Sequence, residues 1–139
     1  MAEATAKKLQ CVIVTPESTV FDKPVDFVAV PLYDGELGVL PGRAPLVARL
    51  GYGELRTTSA GTTTSYYIDG GFLQVNHDVV CVLTAQALTA AGIDPAQARA
   101  KLDEANRETP TTPDGFDAKT ISLSRARAQI AIAQKAGKS

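Results

Sequence analysis

A chain of 139 residues, 45% hydrophobic and 21% charged, has the size of one domain or of a domain with an appendage, and this mix excludes disorder over most of its length. Formal net charge is −1 but unevenly spread: residues 1–92 carry nine acids against six bases, and residues 117–139 carry one acid against five bases. A basic C-terminal segment points to an acidic partner, and its lack of interleaved aromatics argues against nucleic acid.

The N-terminus, Met-Ala-Glu-Ala-Thr-Ala-Lys-Lys, has no apolar stretch behind its charges, so it does not read as a secretory signal. Glu3 and the lack of arginine argue against a transit peptide. The longest apolar stretch, Val79 to Leu83, is far short of the roughly 18–20 residues that span a bilayer. Any membrane association is therefore expected through a partner.

From Leu9 to about Leu88 the chain reads as short strands. Leu9–Val14, Val25–Val30, Leu46–Leu50, Gly53–Thr58, Thr63–Ile68, Phe72–Val75 and Asp78–Thr84 are rich in Val, Ile, Tyr, Phe and Thr, with Gly, Pro, Asp or Asn at their bounds. Ser59-Ala60-Gly61 and Asn76-His77-Asp78 are expected to turn two hairpins. This spacing predicts an antiparallel sandwich or flattened barrel. Val12-Ile13-Val14, Val28-Ala29-Val30 and Val79–Leu83 are apolar on both faces. Either an outer face is covered, by a neighbouring element or another subunit, or the core is unusually well filled.

Between the first strands lies Asp34–Pro45, which holds three glycines and two prolines in twelve residues. Glycine opens backbone angles closed to other residues and proline fixes φ, so tight turns are predicted around a short extended piece, Leu37–Leu40. Pro41-Gly42 suits the two central positions of a type II turn. Asp34, Glu36 and Arg43 place charge on these turns, as recognition surfaces do.

At Ile93 the pattern changes. Asp94 is a helix N-cap with Pro95 at the first helical position, and Ala98, Leu102 and Ala105 form a stripe that ends near Arg107. Glu108–Phe116 reads as a loop, and Asp117 as the cap of a second helix that runs to about Ala136 and stops at Gly137. Its stripe is Leu123, Ala126, Ile130 and Ala133. Together these predict an antiparallel αα-hairpin. The hairpin is alanine-rich, so its helices form readily but bury few large side chains. That suits an element with two packings of similar energy; a stable two-layer fold is the other reading.

No catalytic constellation is legible. Cys11, Cys81 and His77 are the only thiols and imidazole, too few and too scattered for a zinc site or a Cys–His nucleophile, and no metal is expected. Gly137-Lys138-Ser139 mimics the end of a P-loop, but Ile132 stands where its first glycine belongs. Gly51-Tyr52-Gly53 opens like a dinucleotide fingerprint, but Arg56 replaces the third glycine and no helix follows.

Gly35-Glu36-Leu37-Gly38-Val39-Leu40-Pro41-Gly42-Arg43-Ala44-Pro45-Leu46 closely resembles the signature of the ε subunit of F-type ATP synthases. Asp69-Gly70-Gly71-Phe72-Leu73-Gln74-Val75 and Asp78–Ala87 resemble two of its later strands, in the right order. The resemblance implies an α+β fold: an N-terminal antiparallel β-sandwich of about ten strands in residues 1–90, then an antiparallel αα-hairpin in residues 91–139. It implies a non-catalytic place on the central rotor, between the γ subunit and the membrane c-ring, coupling proton transport to ATP synthesis. The apolar outer face becomes the γ contact, and Asp34, Glu36 and Arg43 the c-ring contact. The hairpin becomes a brake on ATP hydrolysis, with Arg125, Arg127 and Lys135 meeting acidic segments of the α and β subunits. The implied location is the cytoplasmic face of a bacterial plasma membrane, with a thylakoid as the lesser option.

Some relatives also bind ATP through Ile/Leu-Asp-x-x-Arg-Ala. Here Gln97 replaces that arginine, and of two second-helix arginines only Arg127 is matched, the other position being Ala131. Fewer charge-assisted phosphate contacts imply weak nucleotide binding through Asp94 and Arg127 or none, with Asp94 serving as a helix cap. A soluble ATP-sensing module is the alternative function, and a small thiol or metal enzyme a third.

Overall fold

A computed structural model describes residues 8–135. The strands in chain order are β1 (Leu9–Val14), β2 (Thr19–Val25), β3 (Phe27–Leu32), β4 (Gly35–Val39), β5 (Leu46–Ser59), β6 (Thr62–Asn76), β7 (Val79–Leu83) and β8 (Ala87–Thr89). Two helices follow, α1 (Pro95–Arg107) and α2 (Pro113–Lys135). The chain divides into two compact units, Met1–Ala87 and Leu88–Ser139.

The β unit is built on one long hairpin. β5 and β6 keep a single register from Leu46↔Val75 to Ser59↔Thr62. Ala60 and Gly61 close it, both at positive φ, as a two-residue turn matched to strand twist requires. His77 and Asp78, also at positive φ, close the β6–β7 turn in the same way. Both turns lie where the sequence predicts them.

Four expected strands are therefore two. Leu46–Leu50 and Gly53–Thr58 join as β5, and Thr63–Ile68 and Phe72–Val75 join as β6. The glycines between them do not end the strands; they let neighbouring backbone in. A Cβ at Gly51 would lie 2.7 Å from the Leu32 carbonyl oxygen, and one at Gly71 would lie 1.9 Å from that of Leu83. On one side of these glycines β5 and β6 continue into β7, β1 and β2; on the other they continue into β3 and β4. The sheet, in the order β2-β1-β7-β6-β5-β3-β4 with β8 beside β6, is thus two layers sharing a bent central hairpin. Eight continuous strands make the sandwich, and counting β5 and β6 by halves gives the expected ten.

Two details depart from expectation. β1 and β7 run parallel, from Gln10↔Val79 to Val14↔Leu83, so the sandwich is not wholly antiparallel. The 64 residues between their ends supply the long connection that a parallel pair needs. β2 adds a strand to those expected from the sequence; it holds Asp22, Lys23 and Pro24, residues that disfavour strands, and lies at the sheet edge, where proline and charge are tolerated.

The core fills the space between the layers. Leu9, Cys11, Ile13, Leu73, Val75, Val80 and Val82 come from one, and Val28, Val30, Val39, Leu55, Tyr66 and Ile68 from the other. Asp26 ties the margin: its carboxylate accepts from Lys8 and, at 2.9 Å, from the Ala60 amide. The hydrogen bond from Lys8, then that from Ala60, holds this carboxyl below the usual range. Its contribution to stability is therefore present above the ordinary carboxylate pKa and lost as pH falls through the lowered one.

In the helical unit Asp94 caps α1 as expected, its carboxylate accepting from Ala96 N at 3.0 Å and Gln97 N at 3.3 Å. α2 begins at Pro113, not after Asp117. Thr112 is the cap: its hydroxyl oxygen accepts from Gly115 N at 3.1 Å and its carbonyl from Phe116 N at 3.1 Å. Pro113 occupies the first helical position, where its missing N–H costs nothing, so the loop shrinks to Glu108–Thr112. Small side chains (Ala98, Ala105, Ala126 and Ala133) are buried in this unit, while Leu102, Leu123 and Ile130 are half-buried. The expected stop at Ala136 and Gly137 lies outside the described residues.

Candidate functional site

The main candidate is a face, not a pocket. In β1, β6 and β7 alternate residues enter the core; the others form the outside of that layer. The register lines them up. Phe72 stands opposite Leu83, and Leu83 opposite Val14. One row along, Gln74 is opposite Cys81 and Cys81 opposite Val12. β5 extends both rows, with Arg49 opposite Phe72 and Val47 opposite Gln74. Phe72 is 58% exposed and Val47 71%, with Leu83 and Val79 also open to solvent. Large apolar side chains gathered in the open on one face, here Val47, Phe72, Val79 and Leu83, mark a docking surface.

Of the two readings of the doubly apolar strands, a well-filled core does not account for β7, whose Val79 and Leu83 are open to solvent within this chain, and the outward Val12 and Val14 of β1 are half-buried. The third strand differs: both Val28 and Val30 and the intervening Ala29 of β3 are buried.

Arg49 links this stripe to the β3–β4 turn. Its guanidinium lies 4.4 Å from the centroid of the Tyr33 ring, and its carbonyl accepts from Tyr33 N at 2.9 Å. Tyr33 and Asp34 are the two residues of that turn, and both are exposed.

Asp34, Glu36 and Arg43 have three different supports. Asp34 is on the turn, Glu36 within β4, and Arg43 on the loop that follows Pro41-Gly42. No hydrogen bond or ion pair joins any two of them among the described residues. Their closeness in sequence does not become a cluster, because Gly35–Val39 is extended and carries the chain away from the turn. Glu36 is paired instead with Arg56 of β5, 2.9 Å away. Arg43 is exposed on a loop held by Asp78, whose carboxylate accepts from Gly42 N at 2.7 Å. Neither Arg56 nor Asp78 was singled out from sequence. Each lies 20 or more residues from its partner, and only the sheet register brings them together.

On the hairpin, Arg125, Arg127 and Lys135 are all exposed on α2. Asp94 is exposed as well, with its carboxylate committed to the α1 cap.

The thiols lack the character of nucleophiles. Burial, then the nearby Cys81 and Asp22, pushes the Cys11 thiol up to about 12, and burial raises Cys81 too. Both are protonated at neutral pH. Among the described residues no three His, Cys, Asp or Glu side chains gather as a metal site, and no helix is long and apolar enough to cross a membrane.

Residues 8–90 match the family profile described as ATP synthase, Delta/Epsilon chain, beta-sandwich domain. The fold and its open face therefore define a β-sandwich subunit of an ATP synthase. The ATP synthase epsilon chain of Rhodopirellula baltica is 46% identical over 122 residues, spanning 88% of this chain and 95% of that one. That of Syntrophobacter fumaroxidans is 37% identical over 132 residues (94% and 98%), and that of Bacillus subtilis 37% over 111 (80% and 84%). The chain belongs to the ATP synthase epsilon chain family and is a subunit of that membrane-associated complex.

Solved structures share the fold. A chain from the cryo-EM structure of the Euglena gracilis mitochondrial ATP synthase (OSCP/F1/c-ring) has a TM-score of 0.79 at 24% identity, covering 94% of this chain and 81% of that one. A chain from the Tetrahymena thermophila mitochondrial ATP synthase (central stalk and c-ring) has a TM-score of 0.69 at 14% identity, covering 91% and 97%.

Proposed function

We propose that this subunit is a non-catalytic part of the rotor, seated on the γ subunit through the outer face of β5, β6 and β7. The observation that carries the reading is the open row Arg49–Phe72–Leu83–Val14. Burying one large apolar side chain is worth about 1.5–3 kcal/mol, so Phe72, Leu83, Val47 and Val79 together can hold a partner. The β3–β4 turn with Asp34, the strand β4 with Glu36 and the loop with Arg43 face the polar loops of the c-ring. Glu36 arrives already paired with Arg56, so Asp34 and Arg43 offer the freer charges. The bacterial relatives support a place at the cytoplasmic face of a plasma membrane, held there through the complex.

The hairpin restrains hydrolysis, with Arg125, Arg127 and Lys135 meeting acidic segments of the α and β subunits. Deleting residues 93–139 is expected to leave assembly and coupling intact in the reconstituted complex. ATP hydrolysis should rise about fivefold or more, the lower end for a coupling of ~1 kcal/mol between sites. A truncated chain that fails to assemble overturns this division of labour.

Nucleotide binding by the isolated chain is weak or absent on this reading. The Asp94 carboxylate already accepts two backbone amides, and Gln97 offers no guanidinium to a phosphate. Calorimetric titration with Mg-ATP should give no saturable heat; tight binding would favour the ATP-sensing alternative.

A further inference from the structure

We propose that Asp78 is a positioning residue: its carboxylate latches the Leu40–Pro45 loop and thereby aims Arg43. The inference rests on the reading of that loop as the surface presented to the c-ring. Asp78 itself makes no contact with a partner in this account; it acts through Gly42.

The loop has little else to hold it. Leu40–Pro45 lies between β4 and β5 and joins no strand ladder. In a type II turn the carbonyl of the first residue pairs with the N–H of the fourth, so the N–H of the second central residue is left over. At Pro41-Gly42 that spare donor is Gly42 N–H, with Gly42 at φ +88°. The Asp78 carboxylate takes it at 2.7 Å. Among the described residues this is the one hydrogen bond that ties Leu40–Pro45 to another element.

The acceptor is itself firmly placed. Asp78 ends the β6–β7 turn, and its carbonyl accepts from Gln10 N of β1 at 2.8 Å. Its backbone is at φ +61°, a conformation in which glycine is the usual residue of such a turn. Aspartate tolerates the conformation and adds a charged acceptor, which makes a stronger hydrogen bond than a neutral one. The chain thus fastens a charged, proline-bounded loop to a turn that is itself hydrogen-bonded to β1. Arg43, one residue past the latch, inherits that direction.

Two variants separate the latch from the turn. Asp78→Gly removes the carboxylate and suits the positive φ, so the hairpin still closes. Asp78→Asn keeps an oxygen acceptor. Amide exchange in the full chain should show Gly42 exchanging at least ~tenfold faster in Asp78→Gly and within a few-fold of the parent in Asp78→Asn, with the core of β6 unchanged in both. Tryptic cleavage after Arg43 should accelerate in the same order. Unchanged exchange in Asp78→Gly, or equal loosening in both variants, overturns the proposal. In the assembled ATP synthase, Asp78→Gly should lower proton pumping per ATP hydrolysed while the subunit stays bound. A loosened Gly42 with full pumping leaves the latch standing and sinks the ring-facing reading of the loop.

Discussion

Gly71→Ala is expected to destabilise the β unit severely, by about 4 kcal/mol or more. A Cβ at this position would sit 1.9 Å from the Leu83 carbonyl oxygen and 2.9 Å from the Thr84 Cα. Both are backbone atoms, so no rotamer change relieves the clash. Gly71 also stands at φ +109°, where residues with a Cβ are strained. To admit the methyl group β7 must move away from β6, and the pairing Phe72↔Leu83 goes with it. Val80 and Val82 then leave the core. A loss of about 4 kcal/mol or more matches the severe end of single substitutions. Domains of this kind have about 5–15 kcal/mol in total. Gly61→Ala is the control, since its Cβ meets nothing within 4 Å and only the turn's φ of +80° is strained. Thermal melts followed by circular dichroism should show the Gly71→Ala midpoint lowered by about 15 °C or more and that of Gly61→Ala by only a few degrees. A Gly71→Ala melt close to the parent's would mean that the sheet yields easily at this crossing.

The same glycines mark how far the sequence can be read. Gly51-Tyr52-Gly53 and Gly70-Gly71 look like strand ends, because glycine weakens a strand and often stops one. At Gly51 and Gly71 another strand's backbone comes too close for any side chain, a fact about tertiary approach that no local pattern carries. The β1–β7 pairing is hidden for a related reason: its partners are some 70 residues apart, and alternation tells which face is apolar but not which neighbour runs beside it. Where the determinants are local, the reading holds. Asp94-Pro95 starts α1, and both hairpin turns fall at their predicted residues. Thr112-Pro113 is an equally local start signal, masked by Gly115, which made the first turn of α2 look like loop. At the candidate site the apolar outer face is visible as strands without a polar alternate. Asp78 is not, since an aspartate in a turn is ordinary until Gly42 is found against it.

The open face yields the other large effect, and it separates binding from folding. Phe72→Asp is expected to weaken attachment to γ by about two orders of magnitude or more. The ring stands between Arg49 and Leu83, at the middle of the apolar row. Once a partner covers that row, a carboxylate there loses its water without gaining a fixed donor, and burying an unpaired polar group costs several kcal/mol. About 2.7 kcal/mol already amounts to a hundredfold. In the free chain Phe72 is 58% exposed, so the same substitution removes little burial. Its melting temperature should stay close to the parent's, since exposed changes usually fall within about 0.5 kcal/mol. Co-purification with γ, set against a melt of the isolated subunit, measures the two effects independently. Retained binding by a well-folded Phe72→Asp chain would remove this face from the interface and leave the stripe unexplained. A Phe116→Asp variant serves as the control, because Phe116 is 57% exposed too but belongs to α2 in the helical unit.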